Sequence, residues 1–476
     1  MMKKEITGAN PYLPLWEHVP DGEPRVFKYN GEERVYVYGS HDTLKDEYCG
    51  LDYVVWSAPV DDMTNWRFDG VCYKSSNGEP LYAPDVVEKD GRYYMYVAED
   101  RGHSIYVASS DSPMGPFENP VLTELDFDPG ILVDDDGRVY AYWGFCACYA
   151  AELNEDMATI KEGTLIKHMI PHTVPLDFVS DPDYDHIDSI FCFFEASSIR
   201  KVNGKYVYIY SQRINKAEPE NGFPAHTNSY LSYAYSDNPL TGWKYGGKIS
   251  YNCGDIYITP EGEKSRAYIH CNNHGSIVNV RDQWYIFYHR QAGTDQFARQ
   301  GMLEPIDAAV DKNGNVHIGQ VTYDITGEPI SHKPAEMTSQ GAFVDGIDAY
   351  GILSAGYACY ITPANNGKSA YIKPVYEGYS SPVVNIYSGT VVGFKYMNFG
   401  DIPPKSVTVK TDDFTGGVIT ITIDSPNGTK IAEFGGGEST VKISSQITGK
   451  HAVYFTFTAG DKDKEICMFD TFTFDK

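Results

Sequence analysis

A chain of 476 residues, 42% of them hydrophobic, can bury a core in each of two domains, which excludes a single small module. Its 39 basic and 65 acidic residues give a net charge of -26, which repels phosphate backbones and anionic headgroups, so nucleic acid and membrane are excluded as partners. The 38 Tyr, 22 Phe and 6 Trp instead supply faces that stack on sugar rings, although a Tyr-rich all-β core would use the same residues.

The start, Met1 to Gly8, carries two lysines with no apolar run behind them, and no stretch is long and apolar enough to span a bilayer. Nine cysteines, an odd number, lack paired metal-type spacing, and Cys146 and Cys148 read as strand packing. A cytoplasmic chain with reduced thiols is the expectation.

Short Val/Ile/Tyr/Phe runs between Gly, Asp, Asn and Pro turns predict an all-β chain. A polar residue, a short strand, a turn and an aromatic strand recur five times in order. The copies start at Asp21, Pro84, Asp128, Glu195 and His274, and continue through Arg34-Val35-Tyr36, Arg92-Tyr93-Tyr94, Arg138-Val139-Tyr140, Lys205-Tyr206-Val207 and Gln283-Trp284-Tyr285. One such unit cannot bury both its faces, so five predict the blades of a β-propeller.

Nine residues separate Asp128 from Gly137, Glu195 from Gly204 and His274 from Gln283, and ten separate Asp21 from Gly31. The repeat therefore puts two aspartates, a glutamate and a histidine at one end of one channel. In the second copy that offset falls on Tyr82, with Asp85 three residues further in. Any one of these residues could serve a turn. Three carboxylates gathered in a partly dry channel cost free energy unless chemistry or a cation uses them. Glycoside hydrolysis needs one carboxyl protonated and another ionised, and a third acid can tune the pair. Asp134-Asp135-Asp136-Gly137 lacks a glutamate at the twelfth position of a calcium loop, where Phe145 stands, and reads as a hairpin turn.

These residues resemble glycoside hydrolase family 43. The likeness spans about residues 8–325 and rests on Asn10-Pro11…Pro20-Asp21-Gly22, Tyr38-Gly39-Ser40-His41-Asp42, Tyr82-Ala83-Pro84-Asp85, Phe127-Asp128-Pro129-Gly130, Phe194-Glu195-Ala196-Ser197 and Asn273-His274-Gly275-Ser276. The resemblance implies a five-bladed, inverting hydrolase with Asp21 as general base, Glu195 as general acid and Asp128 positioning Glu195 and modulating its pKa. It also implies His274 at a central calcium ion or water cluster, calcium being the candidate cofactor, with no organic cofactor. Tyr82, where the family often has Trp, and Asp85, Arg290 and Arg299 are the substrate-binding candidates. Arg299 and Arg290 could alternatively pair with Asp21 or be structural. The Asp- and His-rich loop at 174–190 leaves the subsites open.

The repeat ends after Thr326, and a polar linker is expected at 331–339, dividing a propeller at 1–330 from a second domain at 331–476. Alternating strands there predict a β-sandwich of jelly-roll type. The string through Asp424-Ser425-Pro426-Asn427-Gly428, Thr448-Gly449-Lys450-His451 and Phe469-Asp470-Thr471-Phe472 resembles carbohydrate-binding module family 6, which implies Glu336 and Asp470 as candidate ligands of a structural calcium. Whether the sandwich binds sugar, shapes the active-site rim or stabilises the enzyme stays open. The activity expected from the resemblance is exo-acting α-L-arabinofuranosidase on oligosaccharides from arabinoxylan. β-D-Xylosidase, a sugar-binding propeller without catalysis and a metal-dependent propeller enzyme are the alternatives.

Overall fold

The computed structural model describes residues 8–171, 190–375, 380–435 and 439–476. The loop at 174–190 lies, up to residue 189, outside them. Five sheets follow one another as blades. The first runs Glu23–Tyr29, Glu32–Tyr38, Asp52–Pro59 and Arg67–Lys74 in sequence order, all antiparallel. The inner strands of the other blades are Tyr82–Lys89, Gly130–Val133, Phe193–Val202 and Ser276–Val280. Each inner strand packs beside the next, and the fifth packs beside the first, closing the ring.

Two-residue hairpins fix the register. Asn30-Gly31, Asp90-Gly91 and Asn203-Gly204 all have positive φ at both positions, the type I′ geometry that matches strand twist. Asp134 to Gly137 closes the third blade's hairpin, with the Gly137 amide donating to the Asp134 carbonyl at 2.9 Å. Because the hairpins share one end of the ring, the strand starts share the other.

Below those starts the axis is filled with polar groups from every blade. Arg25 grips Asp85 at 2.7 and 2.6 Å, and the Ile131 amide donates to Asp85 at 2.7 Å. Arg200 donates to Glu23 at 2.6 Å, Ser198 to Glu23 at 3.0 Å, and Ser198 meets Ser276 at 2.7 Å. This corrects the expectation that Asp85 binds substrate. Three residues along a strand is about 10 Å, so Asp85 lies below the strand ends, and with only 1% exposure it is consumed by Arg25.

The C-terminal domain packs two sheets face to face. One orders Ile347–Asp348, Val391–Asn398, Lys450–Thr458, Val418–Ile423 and Thr429–Phe434; the other Tyr371–Ile372, Val383–Ile386, Cys467–Asp475, Ser406–Asp412 and Ser439–Lys442. Phe394, Phe455, Phe469 and Phe472 fill the space between them, with ring centroids as close as 4.7 Å.

The boundary differs from the expected one. Pro329–Lys333 forms a fifth strand on the fifth blade, so a division at 330/331 cuts a paired strand. The rest of the polar run is anchored too, because Thr338 donates its amide and its hydroxyl to buried Glu304, each at 2.7 Å. One hydrophobic cluster then runs from blade residues such as Ile209, Ile286 and Met302 through Ala335 and Met337 into Ile361, Phe394 and Phe469.

Arg290 is the polar clamp of this junction. Its guanidinium, 0% exposed, donates to Gly356 O at 2.8 Å, to Tyr268 Oη at 3.1 Å and to Ala358 O. Fully buried and spent on these acceptors, it does not line the cavity that holds the acids, which corrects its assignment to substrate binding; the carbonyls it satisfies belong to the second domain, a contact that local sequence does not reveal. Arg290→Met is expected to cost about 3 kcal/mol by stranding these acceptors, read as a lower denaturant midpoint for the whole chain.

Candidate active site

Asp21 and Asp128 each stand two residues before an inner strand with φ of 58° and 51°, a left-handed turn that Asp tolerates better than most residues. Glu195 lies inside its strand, but the pairing slips on both sides of it and Ala196 has φ of 67°. Such a bulge re-aims the side chain. The three acids converge on one cavity of about 200 Å³, walled also by Tyr48, Tyr82, Phe127, Asn272, His274 and Arg299. Tyr82 and Phe127 meet edge to face at 6.1 Å.

The acids differ in what surrounds them. Asp21 accepts from Ser40 Oγ at 2.6 Å and from Arg299 Nη1 at 3.0 and 3.2 Å. Its own amide donates to His289 Nδ1 at 3.2 Å, and burial holds that imidazole down to about 3, neutral and able to accept. Burial pushes Asp21 towards protonation, but the Arg299 charge, with help from His274 and Ser40, overrides it and holds the carboxyl at about 2. Arg299 is itself locked by Asp42, to which Nε donates at 2.9 Å and Nη2 at 2.8 Å. Arg299 pairs with Asp21, one of the roles expected of it, and it also lines the cavity.

Glu195 has the opposite setting. It accepts a bond from Asn228 Nδ2 at 2.9 Å, and burial together with the charge of Asp21 pushes it up to about 8. Asp128 is pushed up to about 7 by burial and by Glu195 and Asp21, against the pull of His274. Its Oδ2 accepts the Ala196 amide at 2.9 Å, so Asp128 holds the backbone of the bulge that aims Glu195. His274 Nδ1 lies 3.8 Å from both Asp21 Oδ1 and Asp128 Oδ2, which keeps those oxygens within twice that distance of each other.

Asp21, Asp128, Glu195, Tyr82, His274 and Arg299 thus meet in one place, while Asp85, Arg290, Glu336 and Asp470 lie elsewhere. Ser40, Asp42, His289, Asn228 and Asn272 complete the site. Ser40 and Asp42 belong to the motif Tyr38-Gly39-Ser40-His41-Asp42, and His289 and Asn272 adjoin Arg290 and Asn273; Asn228 has no signal in the sequence.

The donor sets do not fit calcium, which takes six to eight oxygens. His274 offers a nitrogen beside two carboxylates already engaged by protein donors. Lys395 and Tyr396 hold Glu336 at 2.7 and 3.0 Å, and Lys410 holds Asp470 at 3.0 Å, so neither carboxylate is set up as a ligand, contrary to expectation. Among the described residues no group of three or more His, Cys, Asp or Glu could hold a metal ion.

The family description Glycosyl hydrolases family 43 matches residues 23–312, and Carbohydrate binding module (family 6) matches residues 364–476. A xylosidase/arabinosidase from Thermoclostridium stercorarium is 34% identical, covering 94% of this chain and 95% of its own. An arabinoxylan arabinofuranohydrolase from Paenibacillus polymyxa is 25% identical over 94% of this chain and 71% of its own. A solved family 43 arabinoxylan arabinofuranohydrolase from Bacillus subtilis, in complex with cellotetraose, aligns over 98% of this chain and 97% of that chain with TM-score 0.47 and 21% identity.

The raised carboxyl also predicts a stability effect. As pH rises past the ordinary glutamate value of 4.5, the unfolded chain ionises Glu195 while the folded chain keeps its proton to about 8, so folding loses free energy across that window. Glu195→Gln removes the loss. Its melting temperature relative to the parent is expected to climb between pH 4.5 and 8 and to level off above.

Proposed function

This chain belongs to glycosyl hydrolases family 43, among xylosidases and arabinosidases, and we propose that within it the protein is an inverting, exo-acting α-L-arabinofuranosidase that removes arabinose from arabinoxylan-derived oligosaccharides. One observation carries the mechanism: two carboxyls of one cavity are driven in opposite directions, Asp21 to about 2 and Glu195 to about 8. Near neutral pH Asp21 is a carboxylate and Glu195 a carboxylic acid.

The reaction follows from that division. Glu195 gives its proton to the glycosidic oxygen as the bond from the anomeric carbon to that oxygen breaks. Asp21 takes a proton from a water that attacks the carbon from the opposite face, inverting its configuration. Asp128 acts on Glu195 through the bulge it holds. A cavity of about 200 Å³, smaller than the roughly 300–1,000 Å³ of drug-sized ligand sites, suits one sugar ring. The ionic plug of Arg25, Asp85, Glu23 and Arg200 closes the axis beneath it, so a chain cannot thread through. Both features favour release of a single terminal or side-chain residue.

For the sugar itself, relatives that span both domains are named xylosidase/arabinosidase and arabinoxylan arabinofuranohydrolase, which favours arabinose on a xylan main chain. The first of those names also supports β-D-xylosidase as the second reading. Aryl α-L-arabinofuranoside and aryl β-D-xyloside, assayed side by side with proton NMR of the first-formed anomer, separate the two. The expected result is faster release of arabinose, with inversion; faster release of xylose, or a retained anomer, would reject the proposal.

Glu195→Gln and Asp21→Asn should each lower kcat by about 10²–10⁴-fold while the fold persists. The parent kcat/KM should fall as pH rises through about 8, where Glu195 loses its proton, and hold on the acid side far below the ordinary aspartate value of 3.8, because Asp21 stays ionised to about 2. Steady-state rates across pH check both limbs.

A further inference from the structure

A second and larger cavity, of about 350 Å³, lies where the two domains meet. Its walls include Tyr257, Arg266, His270 and Thr294 from the propeller and Ser369 and Tyr371 from the sandwich. Strand direction fixes which face it opens on. Segment 252–275 leads into the inner strand at Ser276, and segment 292–298 joins Gln291 to Arg299, a cross-strand pair at the active-site end of the blade. The propeller wall of this cavity therefore belongs to the active-site face. His270 is two residues from Asn272 of the catalytic cavity, a span of at most about 7 Å of extended chain.

The lining chemistry is that of a neutral, hydroxylated ring. Tyr257 and Tyr371 are half-buried aromatic rings of the wall, Ser369 is exposed at the edge, and among the described residues no carboxylate lines it. Burial, with the Arg266 charge, holds His270 down to about 4, so its imidazole is uncharged. Arg266 is fixed by Asn221 O at 2.7 Å and Gly254 O at 2.8 Å, and its Nη2 donates to nothing among the described residues. The wall is rigid because Tyr268 bonds Ala358 O and Arg290 ties the domains together directly behind it.

We infer that this junction is a subsite for xylose residues of the main chain, so that the sandwich and the propeller together hold the xylan backbone while the catalytic cavity takes the arabinose. The inference rests on the arabinoxylan reading above and adds a function for the second domain: it completes the substrate site and is not a separate tether.

Calorimetry with unsubstituted xylotetraose on the Glu195→Gln enzyme tests it without any need for turnover. Two further changes act in opposite senses, Tyr371→Ala removing a wall and Ser369→Trp filling the space. Each is expected to weaken xylotetraose binding by tenfold or more, a loss of about 1.4 kcal/mol, with a melting temperature close to that of the Glu195→Gln parent. Unchanged affinity in both, or no binding of xylotetraose to the parent, would overturn the subsite. The arabinofuranosidase reading fails by a different readout, the aryl glycoside assay on the unaltered enzyme.

Discussion

The charge of Arg299 beside Asp21 is the interaction on which the site depends. Three carboxyls share a buried cavity, and burial alone would protonate all of them. A guanidinium held from behind by Asp42 breaks the symmetry: it fixes Asp21 as the anion, and the anion then helps to keep the proton on Glu195. Acid and base are thus assigned by one cation and one repulsion, with no difference in residue type required. Asp128 has a separate effect, holding the backbone next to Glu195.

The architecture supports that arrangement from below and from the side. Under the acids, the network of Arg25, Asp85, Glu23, the Ile131 backbone, Arg200, Ser198 and Ser276 ties all five inner strands together and holds the strand starts at one depth. At the side, the shared core and the Arg290 clamp make the sandwich part of the same body as the fifth blade. A junction this well packed favours a structural and substrate-positioning part for the second domain over a freely swinging one.

Much of this was legible in the sequence because a propeller turns a repeat into a register. A constant offset from each hairpin is enough to bring Asp21, Asp128, Glu195 and His274 together, and the structure does so. What failed was depth and distance. Asp85 shares the second blade's motif with Tyr82, yet three residues of rise sink it into the plug. Arg290 stands beside His289, which touches Asp21, but strand alternation turns the two side chains to opposite faces. Glu336 and Asp470 resembled ligands only until their lysine partners, 59 and 60 residues away in the chain, came into view. The linker at 331–339 read as polar because its polar groups satisfy Glu304 and a strand edge.

The central claim is that Asp21 and Glu195 carry opposite protonation states in the resting protein. Carboxyl carbon-13 titration of Asp- and Glu-labelled protein, with signals assigned through Asp21→Asn and Glu195→Gln, measures it directly. The account predicts an Asp21 signal that stays ionised to about pH 2 and a Glu195 signal that stays protonated to about pH 8. Two carboxyls titrating together near 4 would contradict it.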